Sequence, residues 1–301
     1  MKKLSYALVA LTACAVASLT ACGGGDDGPK TVTIDFSAVA GNTPISCASN
    51  LTDLGTTNAA GTVKDLRFYI SNVRLVKRNG GEQALTLAAT DDFNASKGAD
   101  SVTLIDLEDK TGSCADGTTA MNTRIKGTVP AGDYVGVKMT LGVPFAMNHT
   151  DQAADVSVTP AVINNAVHPG MAWSWAGGRK FTKIEVTNAA WTAPTFTVHL
   201  GSTGCTGTNP SAGLVDSCAR PDRLDFGFAS FDPDTQKIAV DVKSLLSAND
   251  VTVNAGGAPG CMSGATDPEC SAIFDALSLD LSTGVTLNSG LNQRLFKVVG
   301  K

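Results

Sequence analysis

The chain has 301 residues, 43% of them hydrophobic, with 23 basic against 28 acidic side chains and a formal net charge of −5. That balance supplies no basic field to hold a phosphate backbone, which excludes nucleic acid as a partner. The length suits one large all-β domain or two small ones.

Residues 1–22 read as an export signal. Lys2 and Lys3 form a positive n-region, residues 4–19 an apolar stretch, and Leu19-Thr20-Ala21-Cys22 ends it. The apolar run is too short for a membrane span and closes on small residues before a cysteine. This tetrapeptide resembles a bacterial lipobox, which implies that Cys22 becomes the lipid-anchored N-terminus and that Cys14 is discarded. Residues 23–30 are then a polar, Gly-rich tether, and residues 31–301 the domain proper. The expected location is the bacterial cell envelope, at the outer membrane, with the lipid as the only membrane attachment.

Strand signals recur along the domain. Residues 31–36, 136–141, 180–186 and 195–199 alternate apolar with polar. Residues 66–76 read as one or two strands with a kink at Ser71-Asn72. Helical runs are short, the best being 242–246 and 271–277, and Asn, Gly, Asp and Pro punctuate the gaps. The fold expected is an all-β, antiparallel β-sandwich-like single domain with long stapled loops.

Six of the eight cysteines remain after Cys14 and Cys22 are set aside. An even number in an exported chain argues for disulfides, and a zinc site is disfavoured because no C-x-x-C pair exists. Proximity favours Cys205 with Cys218 and Cys261 with Cys270, which leaves Cys47 for Cys114. No G-x-S-x-G, H-E-x-x-H, P-loop or Rossmann pattern is present. Asp232-Pro233-Asp234 lacks the further ligands of a calcium loop and reads as a turn. The C-x-x-C-H of haem attachment is also missing, so the chain carries no haem of its own.

What chemistry the sequence offers gathers at 168–181, His-Pro-Gly-Met-Ala-Trp-Ser-Trp-Ala-Gly-Gly-Arg-Lys-Phe. Trp173 and Trp175 lie there with His168, flanked by the remaining histidines, His149 and His199. Imidazole is a common metal ligand and indole an oxidisable ring. On a strand, two tryptophans two apart share a face. Met147 and Met171 offer thioethers or core packing, and Trp191 lies outside the cluster as packing.

Several motifs occur once each, in order: Leu66-Arg67-Phe68-Tyr69-Ile70-Ser71-Asn72-Val73, Pro144-Phe145 with Asn148-His149, Met171-Ala172-Trp173-Ser174-Trp175 to Lys180-Phe181, and His199-Leu200-Gly201-Ser202-Thr203-Gly204-Cys205. Cys218, Phe231-Asp232-Pro233, Cys261-Met262 and Asp267-Pro268-Glu269-Cys270 follow. The set resembles the MbnP-like proteins, four-Cys members of the metallo-mystery pair system. One departure is Gly177-Gly178-Arg179-Lys180-Phe181, where many relatives have Gly-Tyr-Lys-Phe. The resemblance implies a copper-binding protein in copper homeostasis. It also implies a MauG-like di-haem peroxidase as partner, which oxidises a tryptophan to kynurenine. It places copper ligation on His149 and His199 and the modification on Trp173 or Trp175; His168, in a turn beside Pro169-Gly170, is a further candidate ligand by its residue type and position and not by the resemblance. On this reading the chain is the substrate of an enzyme and not itself a catalyst. Two other classes remain: a metal-dependent oxidase using the same histidines, and a structural or adhesive β-sandwich lipoprotein.

Overall fold

A computed structural model describes residues 28–151 and 154–301. The signal peptide expected at 1–22, with Cys14 and Cys22, and most of the tether lie outside the described residues. No described helix is long and apolar enough to cross a membrane.

The backbone forms two large sheets that do not close into a barrel. In the first, strand β1 (Lys30–Ala40) lies between β4 (Arg124–Val129) and β11 (Gln236–Asp241), with β13 (Phe296–Gly300) beyond β11. The second is organised on β2 (Ala59–Lys77), which pairs with β3 (Asp100–Asp106), β5 (Tyr134–Leu141) and β6 (Thr182–Thr187). It continues through β7 (Thr195–Leu200) to the short β12 (Gly260–Cys261), and from β5 to β10 (Leu224–Phe228). Between the sheets runs an aromatic seam. Phe36 meets Phe68 at 5.8 Å, Phe68 meets Phe296 at 5.5 Å, and Phe296 stacks on Phe226 at 4.5 Å. Such ring pairs contribute about 0.5–1.5 kcal/mol each beyond their buried area.

The assembly is not purely antiparallel. β1 pairs with β11 and β7 with β12 in parallel. Parallel neighbours need a long crossover, and the chain between residues 40 and 236 supplies one for β1 and β11.

The kink expected at Ser71-Asn72 is a bulge inside one continuous 19-residue strand. Asn72 takes φ 51°, a left-handed conformation that asparagine tolerates, and the register with β5 slips there. Its side-chain amide donates to Asp100 Oδ1 at 3.1 Å and its Oδ1 accepts from the Ser101 N–H at 3.0 Å, which holds the start of β3. Residues 65–71 of β2 are buried without a break. The sheet there is covered on both faces, one by the aromatic core and the other by loops.

The helices are short: α1 (Phe145–Asn148), α2 (Val242–Leu246) and α3 (Cys270–Ala276). Asp241 caps α2 by accepting from the Ser244 N–H at 3.1 Å. The strand expected from residue 180 begins at Thr182, because the Lys180 N–H bonds to Met171 O and the Phe181 N–H to Leu200 O. Disulfides join Cys47 to Cys114, Cys205 to Cys218 and Cys261 to Cys270. Cys205 and Cys218 face one another across β8 (Thr203–Thr206) and β9 (Ser217–Arg220). The Asp232 carboxylate accepts from the Asp234 N–H and the Thr235 hydroxyl, the turn chemistry its sequence suggests. Trp191 lies over Gly61, where a Cβ would come within 2.9 Å of its ring.

Candidate functional site

The covered face of β2, β6 and β7 carries charge where a sheet interior ordinarily carries hydrocarbon. In one register row His199 stands opposite Lys183, and Lys183 opposite Arg67; in the next, Thr197, Glu185 and Asp65 align. Because side chains alternate along a strand, both rows point to one face. His199 Nε2 lies 2.8 Å from Glu185 Oε1, and Lys183 Nζ lies 3.3 Å from the same oxygen. Lys183 also contacts Asp65 Oδ2, and Arg67 Nε donates to Asp65 Oδ1 at 2.9 Å. Arg67 Nε sits 3.9 Å from Glu108 Oε1, and Arg67 pairs in register with Asp106.

Burial raises a carboxyl's pKa, and a cation beside it lowers it. At Glu185 burial pushes upward, but the bond from His199 and the charge of Lys183 outweigh it and hold the group down at about 2. At Asp106 burial wins over Arg67, helped by Glu108, and the carboxyl is pushed up to about 7. Asp106 therefore holds a proton in the fold between about pH 4 and 7 that the unfolded chain does not, so this residue makes stability fall as pH rises through that window. Asp106→Asn is expected to remove up to about 3 kcal/mol of that decline, read by urea unfolding at pH 5 and pH 8. Asp222, also pushed up to about 7 by burial, keeps its own slope in both proteins.

Beside His199 lies the tryptophan pair. Trp173 ends the two-residue strand Ala172–Trp173, and Ser174–Ala176 then turns through one 3-10 turn to Gly177 at φ 62°. The tryptophans thus do not share a strand face, because the strand stops at the first of them. Trp173 is 1% exposed and Trp175 63% exposed, yet their ring centroids lie 4.9 Å apart. Trp173 meets the His199 ring edge-on at 6.4 Å. Two buried nitrogens here have no hydrogen-bond partner, Trp173 Nε1 and His199 Nδ1. Trp175 extends outward to line an open groove of about 650 Å³ with Met262 and Pro268.

His149 follows α1 and is tied to the same turn, its Nδ1 lying 2.9 Å from Gly177 O. A carbonyl only accepts, so Nδ1 carries the proton and Nε2 accepts from the Asn148 side-chain amide at 3.0 Å. Cys218 Sγ lies 3.3 Å from that Nε2. Arg179, the residue at which the motif departs from its relatives, holds this arrangement. It is buried, its Nε donates to Ile163 O at 2.8 Å, and its Nη1 donates to the carbonyls of Asn148 and Thr150. Burial lowers its pKa to about 10, so it stays charged at neutral pH.

His168 is placed elsewhere. It caps the 3-10 turn Pro169–Met171, its Nε2 lies 2.6 Å from the Asp92 carbonyl, and its ring packs on Phe93 at 5.5 Å. Its Nδ1 is also buried and unpartnered. Burial lowers the pKa of all three histidines, which favours the neutral, metal-binding form.

Two groups of three residues of metal-ligating type gather among the described residues, His149 with Cys205 and Cys218, and Glu108 with Cys47 and Cys114. In both, the cysteines are joined as disulfides and are not thiolates. The structure does not gather the three histidines into one such group. Met147 and Met171 are buried in the core. Sequence reading missed Asp65, Arg67, Lys183 and Glu185. The available signal was the alternation Asp65-x-Arg67 and Lys183-x-Glu185 inside strands otherwise rich in apolar residues.

Comparison with known proteins agrees with the ordered motifs. The family model for MbnP matches residues 29–263. Among solved structures the chain is similar to MbnP from Methylosinus trichosporium, at 31% identity, covering 91% of this chain and 99% of that one, with a TM-score of 0.78. No curated protein sequence matches.

Proposed function

The chain belongs to the MbnP family, and from that premise we propose that it is a copper-binding protein of the bacterial cell envelope, lipid-anchored through Cys22, in which Trp173 is oxidised to kynurenine by a separate di-haem peroxidase. The chain is the substrate of that oxidation. One observation carries the reading: His199 Nδ1 and Trp173 Nε1 are both buried and unpartnered where the two rings meet.

A buried polar atom without a partner costs about 1–3 kcal/mol, so such a pair points to a group that completes it. Neutral imidazole nitrogen suits copper in either oxidation state. The indole N–H offers no lone pair, and that is the defect which oxidation repairs. With peroxide as oxidant, two equivalents insert two oxygen atoms across the indole C2–C3 bond, accept four electrons and leave as water. Hydrolysis of the resulting N-formylkynurenine releases formate and exposes an aromatic amine beside a ketone. The haem of the partner supplies the oxidising power, which no group of this chain has. Trp173 is the residue assigned because it is the one against His199, whereas Trp175 faces the groove.

His199→Ala and His149→Ala test the ligands separately in protein isolated from a host that expresses the di-haem enzyme. Cu(I) competition against a chromophoric chelator is expected to show a loss of about a hundredfold or more for His199→Ala. The loss for His149→Ala is expected to be smaller, because metal there must displace the Asn148 amide. Unchanged affinity in both variants would refute the copper assignment.

A further inference from the structure

We propose that Glu185 is a positioning residue for His199: its carboxylate accepts the Nε2–H bond, fixes the neutral ring as the Nε2–H tautomer, and leaves the Nδ1 lone pair free beside Trp173. The consequence for copper rests on the preceding reading; the tautomer does not.

A carboxylate oxygen can only accept, and it lies 2.8 Å from Nε2. In the opposite tautomer the Nε2 lone pair would face that oxygen. The Nδ1–H would then be a buried donor with no acceptor, since Nδ1 has no partner. Each fault disfavours that tautomer by roughly tenfold or more. The three histidines differ in how they are held. His149 is protonated on Nδ1 by Gly177 O, and His168 bonds through Nε2 to the Asp92 carbonyl. His199 alone of the three pairs with a carboxylate. A carboxylate raises the basicity of the far nitrogen as a carbonyl does less, the arrangement by which metal-binding histidines are commonly oriented.

The remaining charges on this face keep Glu185 in place. Lys183 Nζ lies 3.3 Å from the oxygen that His199 uses, and it is itself held by Asp65, which Arg67 grips. A carboxylate free to rotate would not select a tautomer. Here cation and anion alternate across three strands, so moving Glu185 would take from the buried Lys183 one of its two carboxylate partners.

The experiment is two-bond 1H–15N correlation on ¹⁵N-histidine-labelled, metal-free protein at neutral pH, together with Cu(I) competition on the processed protein. The wild type is expected to show His199 as a single Nε2–H tautomer. Glu185→Gln, whose amide oxygen still accepts, is expected to keep it. Glu185→Ala is expected to give a tautomer mixture and to weaken Cu(I) about 10- to 100-fold. If Glu185→Ala does not fold, Lys183→Met with Glu185→Leu removes both charges and is expected to give the same mixture. An Nδ1–H tautomer in the wild type would overturn the proposal, and so would the wild-type tautomer and affinity in Glu185→Ala or in the Lys183→Met/Glu185→Leu variant. A wild type with the Nε2–H tautomer that binds no Cu(I) supports the tautomer assignment and overturns the copper reading.

Discussion

Trp173→Phe is expected to abolish a mass gain of about 4 Da, the difference when oxygen replaces the indole C2, in protein from cells that carry the di-haem partner. Trp175→Phe is expected to retain it on the peptide containing Trp173. The reasoning is one of position. An exposed indole is the easier target for any diffusing oxidant, and Trp175 is 63% exposed while Trp173 is 1% exposed. Modification at Trp175 would therefore need no special arrangement, and it would place the new amine in an open groove where water competes for metal. Trp173 instead lies against His199, and Gly201 leaves room for its ring, since a Cβ there would come within 3.2 Å of it. The two rings in contact at 4.9 Å join the surface to the buried site. Tryptic mass spectrometry decides between them. A gain on Trp175 with Trp173 intact would sink the assignment.

How much of this was legible in the sequence depended on whether a signal was local. The bulge at Asn72 was readable because asparagine in the left-handed region is a local event, and the disulfide partners were readable from spacing. The site was less so. Asp65 and Arg67 alternate as residues on a solvent face do, and only the packing of loops over β2 makes that face an interior. Those loops, at 108–118 and 160–180, have no periodicity to announce what they cover. The separation of Trp173 from Trp175 likewise depends on Gly177 at φ 62°, where a Cβ would also run into Pro210 O. The three histidines, equal in the sequence, become unequal only through their partners: a carboxylate, a backbone carbonyl, and a carbonyl with an amide.

The charged face also makes the cover over it a matter of stability, and the Cys47–Cys114 bridge is where that cover is fastened. Replacing both cysteines by alanine is expected to cost about 4 kcal/mol, the loop-closure entropy for a bridge across 67 residues; the Cys261–Cys270 bridge, across 9, comes to about 2.6 kcal/mol by the same relation. The native side of the argument points the same way. Cys114 ends the turn Gly112–Cys114, Ser113 Oγ donates to the Val63 carbonyl of β2, and the next glycine, Gly117, lies against the Glu108 carboxylate. Freed of the bridge, this turn would admit water to Glu108 and Asp106, and the carboxyl that burial holds near pH 7 would ionise more readily. Two readouts then move together in Cys47→Ala/Cys114→Ala: the urea midpoint falls, and stability declines less steeply between pH 4 and 7 than in the wild type. A lower midpoint with an unchanged pH slope would mean that the bridge acts on the unfolded chain alone and that β2 and β3 keep their cover without it.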